Sequence, residues 1–350
     1  MAQPKLSTES MVEALDLLKL HNGNITKAAL AAKMPPATFR HRLERAKIEL
    51  QYTTMQPEKV NEFTVMRLPD EDLDIDELVE MRIKQFGKKR EYQEATRLIT
   101  VKVKIAGPIG LLHFGDPHVD DDGTDLDLLR QHSDLTKIEG CWGANCGDTT
   151  NNWVGRLARL YANQGTTAAQ AWKLAEWFIS RTRWLYMVGG NHDAWSGSAD
   201  PIKWIARQSD TLYQSSECRI GLRFPNGRQV IVNARHDFAG HSMWNPAHGQ
   251  MKAAQMGYRD HLMISGHKHT SGYGVIKDAS SGRICHAVQV ASYKLYDSYA
   301  KERGFRDQTL SPACMTVIDP ALDEGHPDMI KIFWDPIEGV EYLKYKRANL

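Results

Sequence analysis

Apolar residues recur along the first 50 positions at a helical period. Met11, Val12, Leu15 and Leu18 line one face of a helix predicted over 10–20, and two more helices are predicted over 25–33 and 37–50. His21-Asn22-Gly23-Asn24 breaks the first helix and offers Asn24 as N-cap of the second, while Pro35-Pro36 ends the second and starts the third. Positions 51–69 carry no period and read as loop. Helical spacing returns over 73–95 with Leu73, Leu78, Val79, Met81, Ile83 and Phe86. From Leu98 the texture becomes that of strands. Val101, Val103 and Ile105 alternate with Lys102 and Lys104, and 109–114 is apolar nearly throughout, as a strand buried on both faces should be. A hairpin is predicted from 220–224 and 229–233 around Pro225-Asn226-Gly227, further strands over 285–290, 313–318, 329–334 and 340–345, and helices over 125–138, 168–180 and 201–207. The chain divides into a small all-α part (1–50), a linker with a charged connecting helix (51–97), and a mixed α/β body (98–350).

Charge refines that division. The 350 residues carry 44 Lys and Arg against 43 Asp and Glu, a net +1 that by itself argues for no nucleic-acid partner. By segment, however, 1–50 hold eight basic and five acidic residues, 51–80 two and nine, and 81–107 eight and two. Basic charge is therefore gathered in the first helices and in the connecting helix, whose basic stretch 84–90 suits either a solvated face or a phosphate backbone. Five cysteines without a CxxC pair indicate neither a disulfide framework nor a structural zinc site, and fit a reducing cytoplasm. The start MAQPKLSTES has no signal pattern, and no stretch approaches the ~18 apolar residues of a membrane span, so no membrane is expected.

The second and third helices, NITKAALAAKMPPATFRHRLERA, cross over a turn too short for anything but a tight angle. The segment resembles a Fis-like helix-turn-helix, with Lys33 where the pattern usually has a turn glycine. The resemblance implies DNA contact through Thr38, Arg40, His41, Arg42 and Arg45, the arginines clamping phosphates. A small bundle that packs or dimerises, its arginines merely solvated, is the alternative, and a homo-oligomer stays open.

Fourteen histidines are the oddity of the composition, and ten of them fall between His113 and His269. Asp116 and His118 follow the buried strand 109–114, where open α/β sheets place ligands. Four more clusters each follow an apolar or β-rich run: Gly147-Asp148, Gly190-Asn191-His192-Asp193, His236, and Gly266-His267-Lys268-His269. The order DxH, GD, GNHD, H, GHxH resembles the calcineurin-like metallophosphoesterase superfamily over about 98–350. The resemblance implies two packed mixed β-sheets flanked by helices. It also implies two divalent metal ions, one held by Asp116, His118 and His269, the other by Asn191, His236 and His267, with Asp148 bridging. Imidazole and carboxylate ligands suit Mn foremost, with Fe or Zn as alternatives. Two such ions can clamp the attacking hydroxide and the leaving oxygen of a phosphoryl displacement. His192 would face the scissile phosphate and assist the leaving oxygen, with Asp193 orienting it and raising its pKa.

Not every residue of the constellation is settled by this pattern. His241 and His248 lie within twelve residues of His236 and compete with it as ligand, although His236 ends a predicted strand as the other ligand turns do. Otherwise both are candidate phosphate contacts. Trp153, Trp195 and Trp244 each follow a ligand turn and could wall the cleft and stack bases. His113, His132, His261, His286 and His326 lack a ligand context. The acidic run Asp120-Asp121-Asp122 either repels nucleic acid or forms a solvated turn. A metal-dependent nuclease or phosphodiesterase acting on nucleic acid, DNA favoured, is the leading expectation. The layout is similar to phage and prophage phosphoesterases of the repair-exonuclease type, which would act in the host cytoplasm. The alternatives are an esterase for a small nucleotide and a DNA-binding regulator with a sensing body.

Overall fold

The structure is a computed structural model and describes residues 6–50, 72–194, 200–296 and 309–349. Two compact units divide at Leu78/Val79.

In the first unit α1 (Thr8–Leu20), α2 (Ile25–Ala31) and α3 (Pro36–Glu49) enclose a core of Met11, Leu15, Ala28, Ala29, Phe39, Leu43 and Ala46. The predicted punctuation is observed. Asn24 Oδ1 accepts from the Lys27 amide at 3.1 Å, and Pro36 opens α3. Lys33 takes the left-handed turn conformation at φ 51°, one that costs a non-glycine residue about 1 kcal/mol. Thr38, Arg40 and His41 are exposed on α3. Arg42 and Arg45 are half-buried, and Arg45 pairs with Glu49 at 2.7 Å. The connecting helix is α4 (Ile75–Thr96), and the division between the units falls within it.

The second unit holds two six-stranded mixed sheets. The first comprises β2 (Ile109–Phe114), β3 (Cys141–Asn145), β4 (Trp184–Val188), β5 (Leu212–Gln214), β11 (Ala313–Ile318) and β12 (Ile330–Phe333), in the order β12-β11-β2-β3-β4-β5. The second comprises β1 (Ile99–Lys102), β6 (Glu217–Arg223), β7 (Gln229–Arg235), β8 (Leu262–Ser265), β9 (Gly272–Lys277) and β10 (Ile284–Gln289), in the order β1-β6-β7-β8-β10-β9. Strands β2, β3 and β4 run parallel, as do β7, β8 and β10. Strand alternation divides the apolar side chains between two layers. Leu111, Tyr186 and Val188 meet Ile220, Val232, Ile264 and Val288 between the sheets. Leu112, Phe114 and Met187 face outward beneath α5 (Leu126–Leu135), α6 (Ala168–Arg181), α8 (Pro201–Gln208) and α10 (Pro336–Ala348), which supply Leu129, Phe178, Ile202 and Leu343. All six residues of β2 are buried, as its unbroken apolar run required.

One expectation fails here. The segment 340–345 is not a strand but part of α10. Asp335 caps that helix and Pro336 opens it, and Val340 and Leu343 bury one face, which outweighs the apparent alternation of Val340, Tyr342 and Tyr345. The strands at 313–318 and 330–333 are found, and they extend the sheet of β2. A 3-10 helix (Gly155–Asn163), α7 (Asn191–Ala194), α9 (His248–Met256) and β9 were not anticipated. All five cysteines are buried and unpaired. Among the described residues no helix is long and apolar enough to cross a membrane.

Candidate metal centre

The seven expected ligand residues come together at the C-terminal ends of five strands. Asp116 and His118 follow β2, Asp148 follows β3, Asn191 opens α7 after β4, His236 follows β7, and His267 and His269 follow β8. The parallel strands of both sheets thus deliver their carboxyl ends to one rim. Five of these residues, Asp116, His118, Asp148, His267 and His269, have φ between 21° and 73°, a backbone that side chains with a Cβ resist.

Glycines bring the turns close. Among the motif glycines Gly115, Gly147, Gly190 and Gly266, only Gly147 has a positive φ, at 110°. The others serve close approach instead: a Cβ on Gly190 would lie 2.0 Å from Asp148 Oδ1, and one on Gly266 2.4 Å from Asp116 Oδ1.

Two ligand groups share Asp148. His236 donates from Nδ1 to the Cys146 carbonyl at 2.9 Å, which leaves Nε2 facing the centre. There it meets Asn191 Oδ1 at 2.9 Å, His267 Nδ1 at 3.0 Å and Asp148 Oδ2 at 3.1 Å. Across Asp148, His118 Nε2 lies 3.3 Å from His269 Nε2, which in turn lies 3.3 Å from Asp116 Oδ2. Asp148, His236 and His267 form one group able to hold a metal ion, and His118, Asp148 and His192 another. His192, expected outside the ligand set, stands within this group, its Nε2 3.8 Å from Asp148 Oδ2.

The electrostatics ask for a cation. Burial would depress the His236 pKa, but the Asp148 carboxylate, helped by Asp116, lifts it to about 10. Burial likewise opposes ionisation of Asp148, yet His236, His192 and His118 hold its carboxyl below the usual range. Burial raises Asp116 well above that range, and burial with His269 as neighbour depresses His118. A proton on His236 thus stands where the surrounding acceptors call for positive charge. Asp116 Oδ1 and His118 Nδ1 are buried without a hydrogen-bond partner, a costly condition for polar atoms that a cation among the ligands would offset for the carboxylate. The donor set, imidazole with carboxylate and one amide oxygen, fits a divalent transition metal.

The expected role of Asp193 requires correction. Its Oδ1 accepts from the Thr149 amide at 3.1 Å and its Oδ2 from the Gly190 amide at 2.8 Å, so it ties two ligand turns together. His192 is oriented by another group, the Asn151 carbonyl, to which its Nδ1 donates at 2.5 Å. Nor is the His192 pKa raised overall: burial depresses it, against the pull of Asp148.

His241 is exposed and His248 begins α9, and among the described residues no contact joins either to the ligand groups; His236 is the histidine that the fold delivers. Trp153 stands edge-on to His192, with ring centroids 5.1 Å apart, whereas Trp244 is 91% exposed. Trp195 lies outside the described residues. The remaining histidines of the α/β body have structural partners. His132 and His286 pair with Tyr293 and Tyr273 at 2.6 and 2.7 Å, His113 with Tyr186 at 3.3 Å, and His261 and His326 each accept a backbone amide.

The acidic run forms a turn whose carboxylates are bound to the neighbouring loops. Asp120 accepts from the Asn151 amide at 2.7 Å, Asp121 from Asn151 Nδ2 at 2.9 Å, and Asp122 from the Gly165 amide at 2.8 Å. It therefore fixes the loop whose carbonyl orients His192. Lys294, unmarked by any motif, pairs with Asp121 at 3.0 Å and lies 5.8 Å from the Trp153 ring. Ser292 and Gln289 support the ligand turns by donating to the carbonyls of Asp116 and Gly266. A single sequence holds no signal for such contacts, because they join a side chain to backbone across more than twenty residues.

In comparisons with known proteins, no protein-family model and no curated protein matches this chain.

Proposed function

We propose that the chain is a binuclear-metal phosphoesterase of the calcineurin-like type that hydrolyses phosphodiester bonds of nucleic acid. The observation that carries this reading is the place of Asp148 in both ligand groups, with His192 beside it. Asp116, His118 and His269 would hold one cation, Asn191, His236 and His267 the other, and Asp148 both. When bound, two such cations supply positive charge to phosphoester oxygens and acidify a water.

The chain's own residues do the rest. With Nδ1 engaged by Asn151, His192 presents Nε2, 3.8 Å from Asp148 Oδ2, as the atom that hands a proton to the departing oxygen. Trp153 closes the site beside that ring and offers an aromatic wall to a base. The exposed Arg40 and the basic residues 82–90 support a polymeric, anionic substrate over a small nucleotide. As a helix-turn-helix, α2 and α3 would hold duplex DNA through Thr38, Arg40, His41, Arg42 and Arg45.

The test is to load the protein with Mn²⁺ and offer single- and double-stranded DNA and RNA beside a nitrophenyl phosphodiester. Cleavage of a polymer supports the proposal. Turnover of the nitrophenyl ester alone keeps the esterase and removes the nuclease, and no turnover with any divalent metal removes both.

A further inference from the structure

The ring of His192 is aimed from two sides, and both sides lead to Lys294. On one side Asn151, whose carbonyl accepts from His192 Nδ1 at 2.5 Å, is itself gripped twice: its amide donates to Asp120 Oδ1 at 2.7 Å and its side chain to Asp121 Oδ2 at 2.9 Å. Asp121 Oδ2 also faces Lys294 Nζ at 3.0 Å. On the other side Trp153 stands edge-on to His192, and the Lys294 ammonium lies 5.8 Å from the centre of the Trp153 ring. The Lys294 backbone is fixed as well. Its amide donates at 3.1 Å to Ser292 Oγ, which donates to the Asp116 carbonyl, and Lys294 pairs with Thr124 in an antiparallel bridge.

The ion pair of Lys294 and Asp121 is withdrawn from water, the two side chains being 8 and 11% exposed. Such a pair gains little or nothing in net stability over apolar residues of the same size, so stability alone does not explain it. It does fix geometry. A buried carboxylate deprived of its cation either takes up a proton or swings toward water, and each response loosens its hold on the Asn151 side chain.

We propose that Lys294 is a positioning residue for His192, an inference that rests on the reading of the centre as a phosphoesterase. Held by Asp121, the ammonium keeps Asn151 and Trp153 against the imidazole. The Asn151 carbonyl retains the proton of Nδ1, so the proton that is exchanged is the one on Nε2, the atom beside Asp148. Without the ammonium the ring loses that bias, and its proton divides between the two nitrogens. The effect of Lys294 on the reaction passes through His192, and its weight follows the basicity of the leaving oxygen: a phenolate needs the proton, a nitrophenolate scarcely does.

The test uses the full chain loaded with Mn²⁺ and two phosphodiesters that differ in leaving group, a phenyl ester and its nitrophenyl counterpart. Lys294→Met is expected to lower kcat on the phenyl ester about 10- to 100-fold with KM within about twofold, and to leave the nitrophenyl ester within about threefold of wild type. In a His192→Gln background the same substitution changes kcat by less than about twofold. Lys294→Gln, which keeps a donor but not the charge, carries the same test with a smaller loss should the methionine variant not fold. A second readout needs neither metal nor substrate. In the apo protein made with ¹⁵N-labelled histidine, the His192 signals, identified by their absence from His192→Gln, report the Nδ1-protonated tautomer in wild type and a mixture in the Lys294 variants. Equal losses on the two esters, a loss undiminished in the His192→Gln background, or unchanged His192 signals overturn the proposal and leave the phosphoesterase reading standing. A wild type that turns over neither ester removes that reading and the proposal with it.

Discussion

The imidazole of His192 is held by the backbone carbonyl of Asn151 at 2.5 Å, not by the carboxylate of the adjacent Asp193. A carbonyl fixes the ring's orientation and its tautomer but adds no charge. The residue that tunes His192 electrostatically is Asp148, which the proposed mechanism assigns to the metals.

Replacing His192 by glutamine therefore separates two roles. As the proton donor, its loss is expected to lower turnover about 10²- to 10⁴-fold while the metal content per chain stays unchanged. Elemental analysis of the variant beside its activity makes the distinction. A proportionate fall in bound metal would make His192 a ligand, as its place beside His118 and Asp148 allows.

Asp148→Asn and Gly190→Ala should converge on one phenotype by different routes. The first removes charge shared by both ligand groups, and the second pushes a methyl group to within 2.0 Å of Asp148 Oδ1. Each is expected to weaken metal binding by about 100-fold or more, since disturbing even the partners of ligands costs 10- to 100-fold. Calorimetric titration of the apo protein with Mn²⁺ measures it. Wild-type affinity in Gly190→Ala would show that the turn yields.

On α3 the two arginines predict unequal effects. Arg40 is exposed, whereas Arg45 is engaged by Glu49 at 2.7 Å. If α3 contacts DNA, Arg40→Ala should weaken binding and reduce the slope of log affinity against log salt by about 1, with Arg45→Ala doing less. Fluorescence anisotropy at several salt concentrations reads both, and identical slopes for wild type and Arg40→Ala would remove Arg40 from the interface.

Buried histidines away from the centre set the acid limit of stability. Burial lowers His132 and His286 to about 4 and His113 to about 3. With the folded pKa below the unfolded value near 6.5, the stability these groups allow is fully present above about pH 6.5 and is lost as pH falls through the folded value. For His132 the loss is about 3 kcal/mol at most. The variant His132→Gln cannot titrate, and urea unfolding of the apo protein should show a shallower decline toward pH 4. A decline as steep as that of wild type would place the acid sensitivity elsewhere.

The sequence exposed those features whose cause is local. The break at His21–Asn24, the cap at Asn24 and the left-handed turn at Lys33 are consequences of a few adjacent residues, and the doubly buried β2 is a consequence of its own unbroken apolar run. The ligand turns were visible because each ends a strand. What stayed hidden is non-local. Val340–Tyr345 reads as a strand until Asp335 and Pro336 start a helix whose buried face is decided by the sheet beneath it. The orientation of His192 depends on a carbonyl, and a carbonyl belongs to every residue alike. Asp120–Asp122 looked like solvent-facing charge because their partners, the amides of Asn151 and Gly165, lie more than thirty residues away.

The left-handed backbone at Asp116, His118, Asp148, His267 and His269 has a consequence for transplantation. Each of these turns, as a free peptide, would relax to an ordinary conformation and turn its donor atom away from the others. The donors converge because two sheets, packed through a shared core, hold all three turns against that tendency. The convergence of donors therefore belongs to the sandwich and not to its motifs: grafting DxH or GHxH onto another loop would carry the letters and leave the geometry behind.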